Sequence, residues 1–373
     1  MNKIMGREEY LIKLKNIEGI GKAVIKKLAL EISLIEKLDN ISAQKLSRET
    51  GISLNEALKI KNADWSDFKK ERKELEEAKA GNYNIYPLGS KNYPELLAEI
   101  YDPPPVLYSA GRLIPEDYNA VALVGTRKAT SYGRSAAEKL AYGLASKGIT
   151  VVSGCAAGID RAAHIGALKA KGRTLGVLGG GLDRRYPKTN FKLMEDISRS
   201  GALLSEFPCK SSPRPYNFPM RNRVISGLSL GVVVVEAPIR SGALITAYQA
   251  MEQNRGVYAV PGSIFSSKSD GCAKLIKEGA GAVTCVEDIL DDLRAHLRPV
   301  EIKSRCRCRR KKNISQTGRM ILELLNDNPL TVDKLHAQTK IGINMIISEL
   351  TKLEMAEEIE EIEGKRYIKT DEL

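Results

Sequence analysis

Two arginines stand close together in the sequence FPMRNRVISGLS, which begins at Phe218. Arg221 and Arg223 flank an asparagine, and the apolar run 231–237 that follows is typical of a buried strand. A guanidinium is costly to bury without a partner, so an anion or an acidic side chain should lie near these residues. A phosphate group and a carboxylate of the chain itself are both open as that partner.

The same segment carries groups that could bind a single nucleic-acid strand. The ring of Phe218 could stack on a base, and Asn222 supplies amide hydrogen-bond donors beside the two arginines. Pro219 follows the ring directly. A place for Phe218 in the hydrophobic core is an equally good interpretation, so the sequence leaves its role open.

Glycine-rich turns with hydroxyl and basic side chains follow several other apolar runs. In the first turn, glycine allows a tight bend, threonine can donate a hydrogen bond, and arginine can donate two parallel hydrogen bonds to a phosphate. In the next two turns, free N–H groups at the start of a helix could hold an anion. The candidate binding residues in these turns are Gly125, Thr126, Arg127, Lys128, Ser153, Gly154, Gly158, Ser241, Gly242 and Thr246.

A fourth turn, LGGGLDRRYPKTN, begins at Leu178 and adds three glycines followed by Arg184, Arg185 and Lys188. No single turn is decisive, because many sheets end in glycine. Four such turns with interleaved arginines favour a groove that follows phosphates over a pocket for one small molecule.

Residues that could catalyse a reaction or bind a metal are scattered. Cys155 has no evident activating base, His164 fits a structural role on a helix, and the three histidines are far apart in sequence. Asp160 is either a carboxylate at a helix N-terminus or a functional group. Cys306 and Cys308 make a poor zinc site on their own. We therefore predict no catalytic residue, no metal and no cofactor.

The elements that would position these turns form an α/β pattern. Apolar runs alternate with helical patterns, and nearly every run ends in glycine or a small polar residue. Strands buried on both faces and joined by crossover helices predict a doubly wound, mostly parallel, Rossmann-like sheet, with ligands beyond the carboxyl ends of its strands. The predicted strands are 120–125, 149–154, 174–181, 202–207, 231–237 and 256–262.

The character of the sequence changes along the chain and predicts four segments. Residues 1–80 form a small all-α domain, in which Gly19-Ile20-Gly21 is either a helix-hairpin-helix turn that holds a phosphate or an ordinary corner. Residues 81–300 form the α/β core and 301–312 a basic linker. Residues 313–373 form a winged-helix domain of three helices and a hairpin.

The net charge of the 373-residue chain is +12, and its distribution matters more than its size. The α/β core carries +8 and the short linker +6, whereas the C-terminal segment carries −5. A polyanionic partner therefore suits the core, and the acidic winged helix suits a protein partner or a packing role better than DNA. Since no apolar run reaches about 18 residues and the cysteines are scattered, we expect no membrane segment, no signal peptide and a cytoplasmic protein.

These motifs resemble those of the DprA/Smf family of bacterial DNA-processing proteins. The resemblance covers roughly residues 84–290, and the motifs occur in the order and with the spacing typical of that family. The helical N-terminal region and the winged-helix end also fit the family's layout. The motifs are VGTRKAT, SGCAAGIDRAAH, VLGGGLDRRYPKTN, SEFP, FPMRNRVISGLS, VVVVEAPIRSGALITA, YAVPGS and SDGCAKLIKEGA.

The resemblance implies an extended Rossmann core that forms a homodimer and binds and protects single-stranded DNA without sequence preference. It also implies loading of the RecA recombinase onto incoming DNA in natural transformation, and no known catalysis. It places the family's phosphate-contacting arginine on Arg127, its F-P-x-R-N-R segment on 218–223, and a basic residue that is commonly lysine on Arg173. Arginines at such positions can instead pair with a carboxylate such as Glu206 or Glu236.

Two rival functions remain open from the sequence. The core is also similar to the nucleotide phosphoribohydrolases of the lysine-decarboxylase-like superfamily, whose P-G-G-x-G-T-x-x-E motif supplies an acid/base glutamate. The corresponding stretch here lacks the paired glycines, and Thr246 and Ala247 stand where carboxylates would be expected. The other rival is a scaffold in which the winged helix carries the function and the core only forms a dimer. The strong positive charge of the core argues against it.

Overall fold

The computed structural model describes residues 6–30, 41–299, 315–325, 329–355, 358–362 and 366–369. The chain divides into two compact units, Met1–Val300 and Glu301–Leu373. The predicted linker 301–312, with Cys306 and Cys308, lies outside the described residues. A separate domain over residues 1–80 stays a prediction.

Five described helices precede the sheet, and their presence agrees with the helical pattern of this part of the sequence. Local capping fixes where two of them begin. Ser42 accepts a hydrogen bond from the Lys45 N–H, and Ser53 and Glu56 form a reciprocal capping box. The helices are α1 (Arg7–Asn16), α2 (Lys22–Leu30), α3 (Ala43–Thr50), α4 (Leu54–Lys61) and α5 (Lys69–Ala80).

A nine-stranded sheet forms the centre of the first unit. Its strands are β1 (Asn84–Pro87), β2 (Val106–Gly111), β3 (Ala120–Gly125), β4 (Thr150–Ser153), β5 (Thr174–Val177), β6 (Ala202–Ser205), β7 (Gly231–Glu236), β8 (Gly256–Ala259) and β9 (Gly281–Ala282). The strands from β3 to β9 are parallel, and β2 joins β1 and β6 by antiparallel pairing. Each predicted strand is present, which confirms the predicted fold class, and β1, β2 and β9 are additional.

Helices cover both faces of this sheet. Along β7, Val232 and Val234 belong to one hydrophobic cluster, and Val233 and Val235 belong to another on the opposite face. Two short 3₁₀ helices, Pro115–Tyr118 and Lys188–Asn190, lie in loops. The α-helices are α6 (Glu95–Glu99), α7 (Ser131–Ser146), α8 (Ile159–Lys169), α9 (Phe191–Ser200), α10 (Asn217–Gly227), α11 (Gly242–Glu252), α12 (Asp270–Lys277) and α13 (Val286–Leu293).

The strand order is β1-β2-β6-β5-β4-β3-β7-β8-β9, so the order reverses at β3. From β3 the chain adds strands in one direction as far as β6, and then adds β7 to β9 on the other side. In sheets of this kind, ligands bind in the crevice beyond the carboxyl ends of the strands at the point of reversal. The turns after β3, β4 and β7 meet there, and we call this edge of the sheet the carboxyl edge.

The second unit is a winged-helix domain, as predicted. Its described helices are α14 (Gln316–Leu324), α15 (Val332–Thr339) and α16 (Ile343–Met355). They pack around buried residues such as Ile321, Leu335 and Ile346. A three-stranded sheet in the order β10-β12-β11 completes the domain, with β10 (Leu330–Thr331), β11 (Ile359–Ile362) and β12 (Arg366–Lys369). Across the described parts of both units, no helix has the length and apolar character needed to cross a membrane.

Candidate nucleic-acid interface

A cleft of about 340 Å³ opens at the carboxyl edge of the sheet, beside β3. Its walls come from the turns after β3, β4 and β7 and from the beginnings of α10 and α11. The cleft brings together Gly125, Thr126, Arg127, Phe218, Pro219, Arg221, Asn222, Ser241, Gly242 and Thr246. The other predicted binding residues, which do not line it, are Lys128, Ser153, Gly154, Gly158, Arg173, Lys188 and Arg223.

Arg127 is an exposed cation in this cleft. Its guanidinium extends over the ring of Phe218, with Cζ 5.0 Å from the ring centroid. No ion pair joins Arg127 to another residue of the described chain, so its hydrogen-bond donors are available to an anion. Arg240, in the turn after β7, is also exposed and lines the same cleft.

The turn that carries Arg127 is held against neighbouring backbone. The Thr126 N–H donates to the carbonyl of Glu236 at 2.7 Å, and Thr126 Oγ1 accepts from the Lys128 N–H at 3.2 Å. Gly158 has a φ of +80°, and a Cβ there would lie 2.2 Å from the carbonyl oxygen of Thr126. Only glycine therefore lets the turns after β3 and β4 approach this closely. Arg127 and Lys128 are exposed on a backbone of fixed shape.

The beginning of α11 forms another wall of the cleft. Ser241 caps this helix by accepting a hydrogen bond from the Ala243 N–H at 3.2 Å. Gly242 is exposed, so an anion can approach the positive end of the helix dipole. Asn222 donates from Nδ2 to the carbonyl of Gly242 at 3.2 Å. Thr246 is buried and its hydroxyl donates to the same carbonyl, so the predicted DNA contact by Thr246 is corrected to a role within the helix.

Arg221 is 4% exposed and connects three elements of the protein. Its Nη1 donates to the carbonyl of Gly154 at 2.6 Å and also to the carbonyl of Val177. Burial lowers the pKa of Arg221, and the nearby carboxylate of Asp160 opposes that shift. A Cβ at Gly154 would lie 2.7 Å from Arg221 Nη1, so a larger residue there would displace the guanidinium. Arg221 thus joins α10 to the carboxyl ends of β4 and β5, and the predicted phosphate contact is corrected to this structural role.

Hydrogen bonds made by buried polar side chains hold the turn after β4 in place. Asp160 accepts a hydrogen bond from the Ala156 N–H at 3.3 Å, which agrees with the helix N-terminal role that the sequence left open. Burial raises the pKa of Asp160, and Arg221 opposes that shift. Ser153 is buried and donates to the carbonyl of Leu123 at 2.6 Å. The predicted DNA contacts at Ser153 and Gly154 are therefore corrected, because both residues are buried.

Arg223 is 6% exposed and has carboxylate partners. Its Nη2 lies 2.5 Å from Oε2 of Glu206, and its Nη1 donates to the carbonyl of Asp102 at 2.6 Å. Arg223 therefore pairs with Glu206, the alternative partner that the sequence left open, and this pairing favours a structural role over the predicted phosphate contact. Glu236, the other carboxylate that the sequence offered, has a different partner within the described residues. Its two oxygens accept hydrogen bonds from the N–H and the hydroxyl of Thr130, each at 2.8 Å.

Arg173 and Lys188 lie on different edges of the sheet. Lys188 is exposed in the loop after β5, at the carboxyl edge. Arg173 precedes β5, and its Nε and Nη2 donate to the two carboxylate oxygens of Asp117 at 2.5 and 2.8 Å. The length of the strand separates Arg173 from the carboxyl edge by about 13 Å. Arg173, which the resemblance gave as a DNA-binding residue, therefore lies at the edge of the sheet opposite the cleft.

A buried pair, Cys155 and His164, lies beneath the turn after β4. Cys155 Sγ is 3.6 Å from Nε2 of His164, and His164 Nδ1 is 2.7 Å from Oγ1 of Thr174. Burial lowers the pKa of His164 to about 3 and raises that of Cys155 to about 12. The structural role predicted for His164 is confirmed, and the histidine cannot activate the thiol near neutral pH. No three His, Cys, Asp or Glu side chains of the described chain group as metal ligands.

Two residues that the sequence did not single out belong to this surface. The ring centroid of Tyr186 lies 6.2 Å from that of Phe218, and Arg240 lines the cleft. Tyr186 falls within the fourth glycine-rich turn, and Arg240 directly precedes Ser241. Their closeness in sequence to the predicted turns was the available signal.

Comparisons with known proteins place this interface in a family. The family model for DNA recombination-mediator protein A matches residues 84–294, and the DprA winged helix domain matches residues 311–365. The DNA processing protein DprA of Bacillus subtilis (strain 168) is 46% identical over 211 residues, which are 56% of this chain and 71% of that protein. Protein Smf of Synechocystis sp. is 33% identical over 396 residues, covering 96% of this chain and 98% of the relative.

Solved structures agree with this assignment. The X-ray structure of DNA processing protein A from Streptococcus pneumoniae has a TM-score of 0.65 and 34% identity, and covers 78% of this chain and 99% of its own. A structure of DNA processing protein A from Helicobacter pylori, described by its unique single-stranded DNA binding mode, has a TM-score of 0.51 and 29% identity, covering 58% and 97%. The α/β core and the winged helix thus match the family models of DNA recombination mediators. The chain belongs to the DNA recombination-mediator protein A family, also called DprA/Smf.

Proposed function

We propose that the protein binds and protects single-stranded DNA without sequence preference, in the cleft at the carboxyl edge and on the loops beside it. The position of Arg127, exposed on a fixed turn and extended over Phe218, carries this proposal. The beginning of α11 lines the same cleft. A guanidinium held over an aromatic ring and a helix N-terminus together supply the phosphate contacts that single strands use.

The predicted residues would divide into direct contacts and supports. The supports are buried or half-buried and shape the turns, so their loss would act through the fold. The direct contacts would be Gly125, Thr126, Arg127, Lys128, Lys188, Pro219, Asn222, Ser241 and Gly242, with the half-buried ring of Phe218 packed beside Arg127. The supports would be Ser153, Gly154, Gly158, Arg221 and Thr246.

We further propose that the protein acts as a homodimer, joined through its core, which loads the RecA recombinase onto incoming DNA in natural transformation, in the cytoplasm. The family's description as a recombination mediator supports the loading role. Exposed apolar side chains support a protein partner for the core. Ile264 and Phe265, in the loop between β8 and α12, are 88% and 93% exposed. Adjacent apolar side chains with such exposure are typical of protein contact surfaces.

Nucleotide hydrolysis is the alternative function for this cleft. Thr246 stands where that superfamily would have a carboxylate, and it is buried against its own helix. Asp160 is the carboxylate that lines the cleft within the described residues, and its hydrogen bond to the turn after β4 gives it a structural use. These features favour a mediator without catalysis over the hydrolase.

Fluorescence anisotropy of a labelled oligo-dT, compared with a blunt duplex of the same length at two salt concentrations, tests the proposal. We expect tight, salt-sensitive binding of the single strand and little competition by a nucleoside monophosphate. Weak binding of both DNAs would contradict the proposal. Displacement of the strand by the monophosphate would favour a nucleotide pocket, and would make hydrolysis the next activity to assay.

A further inference from the structure

Phe218 is packed on several sides and offers little of its ring to a base. The guanidinium carbons of Arg127 and Arg221 lie 5.0 and 5.9 Å from its ring centroid. A Cβ at Gly179 would lie 2.9 Å from the ring, so the backbone of the loop after β5 also packs against it. The ring is half-buried as a result. Phe218 therefore orients the two guanidinium groups by cation–π contact.

Tyr186 presents the more accessible ring. It is 52% exposed and lies beside Phe218, with ring centroids 6.2 Å apart and planes inclined by 57°. Arg184 and Lys188 of the same loop are also exposed. An accessible aromatic face flanked by cations is the combination that holds a stacked base and its neighbouring phosphates in single-strand binding proteins.

The loop that carries Tyr186 is fastened on both sides of the ring. The Gly181 N–H donates to the carbonyl of Ser211 at 2.9 Å, and the Asp183 N–H donates to the carbonyl of Cys209 at 2.9 Å. Beyond the ring, the buried Asn190 donates to the carbonyl of Cys155 at 3.0 Å. A ring on a pre-ordered loop loses little conformational entropy when a base stacks on it.

We propose that Tyr186 is the base-stacking residue of the DNA site, and that Phe218 supports Tyr186 and Arg127 rather than stacking on a base itself. This role rests on the DNA binding proposed above. A strand whose phosphate is held by Arg127 would continue from the cleft onto the loop after β5. Stacking on Tyr186 would not discriminate among bases, because every base has a π-face.

The test compares a labelled dT oligonucleotide with an abasic deoxyribose-phosphate oligonucleotide of the same length, by anisotropy, on the full chain. Tyr186→Ala should weaken binding of the dT strand by about 5- to 100-fold and leave binding of the abasic strand within about twofold. Tyr186→Phe keeps the ring and should bind as the wild type does. Tyr101→Ala is the matched control, since Tyr101 is 82% exposed but lies on the segment after α6. It should change neither affinity.

A variant with an added tryptophan allows stacking to be measured independently, by fluorescence. Tyr186→Trp should be quenched when the dT strand binds and unchanged when the abasic strand binds, above the constant background of the single native tryptophan, Trp65. Equal losses for both strands in Tyr186→Ala, or wild-type binding of both, would overturn the stacking role while DNA binding stands. A loss confined to the dT strand in Phe218→Ala but not in Tyr186→Ala would assign the role to Phe218. If the wild-type protein binds neither strand, both proposals fail.

Discussion

Arg223 and Glu206 form a buried ion pair that fastens α10 to the end of β6, with Nη2 2.5 Å from Oε2. Lys22, the first residue of α2, donates to the same oxygen at 2.6 Å. Burial lowers the pKa of Lys22, and Glu206 opposes that shift. One carboxylate therefore ties the N-terminal helices to α10, whose first turn lines the cleft.

Glu206→Gln is expected to destabilise the protein strongly, because it leaves the buried Arg223 and the half-buried Lys22 without their shared carboxylate. Removing one partner of a buried ion pair costs about 3–5 kcal/mol in free energy of unfolding, which urea denaturation would measure. Glu49→Gln is the control, since Glu49 pairs with Lys45 on the surface at 3.7 Å. Loss of this exposed ion pair should lower the free energy of unfolding by less than about 0.5 kcal/mol. Equal free energies of unfolding for the two variants would mean that the contacts of Glu206 with α2 and α10 do not stabilise the protein.

Arg127→Ala should weaken single-strand binding without lowering the stability of the protein. Loss of one phosphate contact reduces the slope of log K against log salt by about 0.7 for a single strand. Binding titrations at several salt concentrations give the slope, and thermal melting gives the stability. Arg199→Ala, which removes an exposed arginine from α9, should leave the slope unchanged. A wild-type slope in Arg127→Ala would remove Arg127 from the DNA contacts.

Arg221→Ala should lower the stability of the protein and leave the salt slope of single-strand binding unchanged. The variant loses the hydrogen bonds to the carbonyls of Gly154 and Val177 and leaves Asp160 without its compensating charge. We expect a loss of about 3 kcal/mol in free energy of unfolding and, at a temperature where the variant is folded, a wild-type salt slope. A stable variant with a slope reduced by about 0.7 would instead show that Arg221 contacts a phosphate directly.

The parallel strands could be predicted because their burial on both faces leaves continuous apolar runs. The run 231–237 corresponds to β7, all of whose residues are buried. β1 escaped prediction because its sequence, NIYP, is short, polar at one end and closed by Pro87. β9 has two residues, too few for any pattern. Apolar strands in the parallel part of the sheet are therefore readable from sequence even at four residues, whereas the short edge strands depend on the neighbours they pair with.

The location of the candidate site was also predictable, but the role of each arginine was not. Turns that follow parallel strands must meet at one edge, which places Arg127 correctly. Arg221 and Arg223 have the same chemistry as Arg127, and only the packing of α10 against the sheet decides that they are buried. Arg173 stands before its strand rather than after it, and that order alone indicates the opposite edge.

The buried His164 should make the stability of the protein fall as the pH falls. Burial holds its pKa at about 3 in the folded protein, against an ordinary value of 6.5, with Arg221 as the nearby charge that adds to the shift. Below pH 6.5 the unfolded chain therefore binds a proton that the folded protein does not, and this loss of stability continues down to about pH 3.

His164→Gln isolates this contribution, because glutamine does not titrate. Urea denaturation at pH 7 and pH 5 should show the wild type losing about 2 kcal/mol in free energy of unfolding relative to the variant. Other titrating groups, including the buried Asp160, are present in both proteins and cancel in the difference. Parallel pH profiles would mean that the folded protein accepts the proton at His164, and its neighbours Cys155 and Thr174 would then have to rearrange to hold a cation.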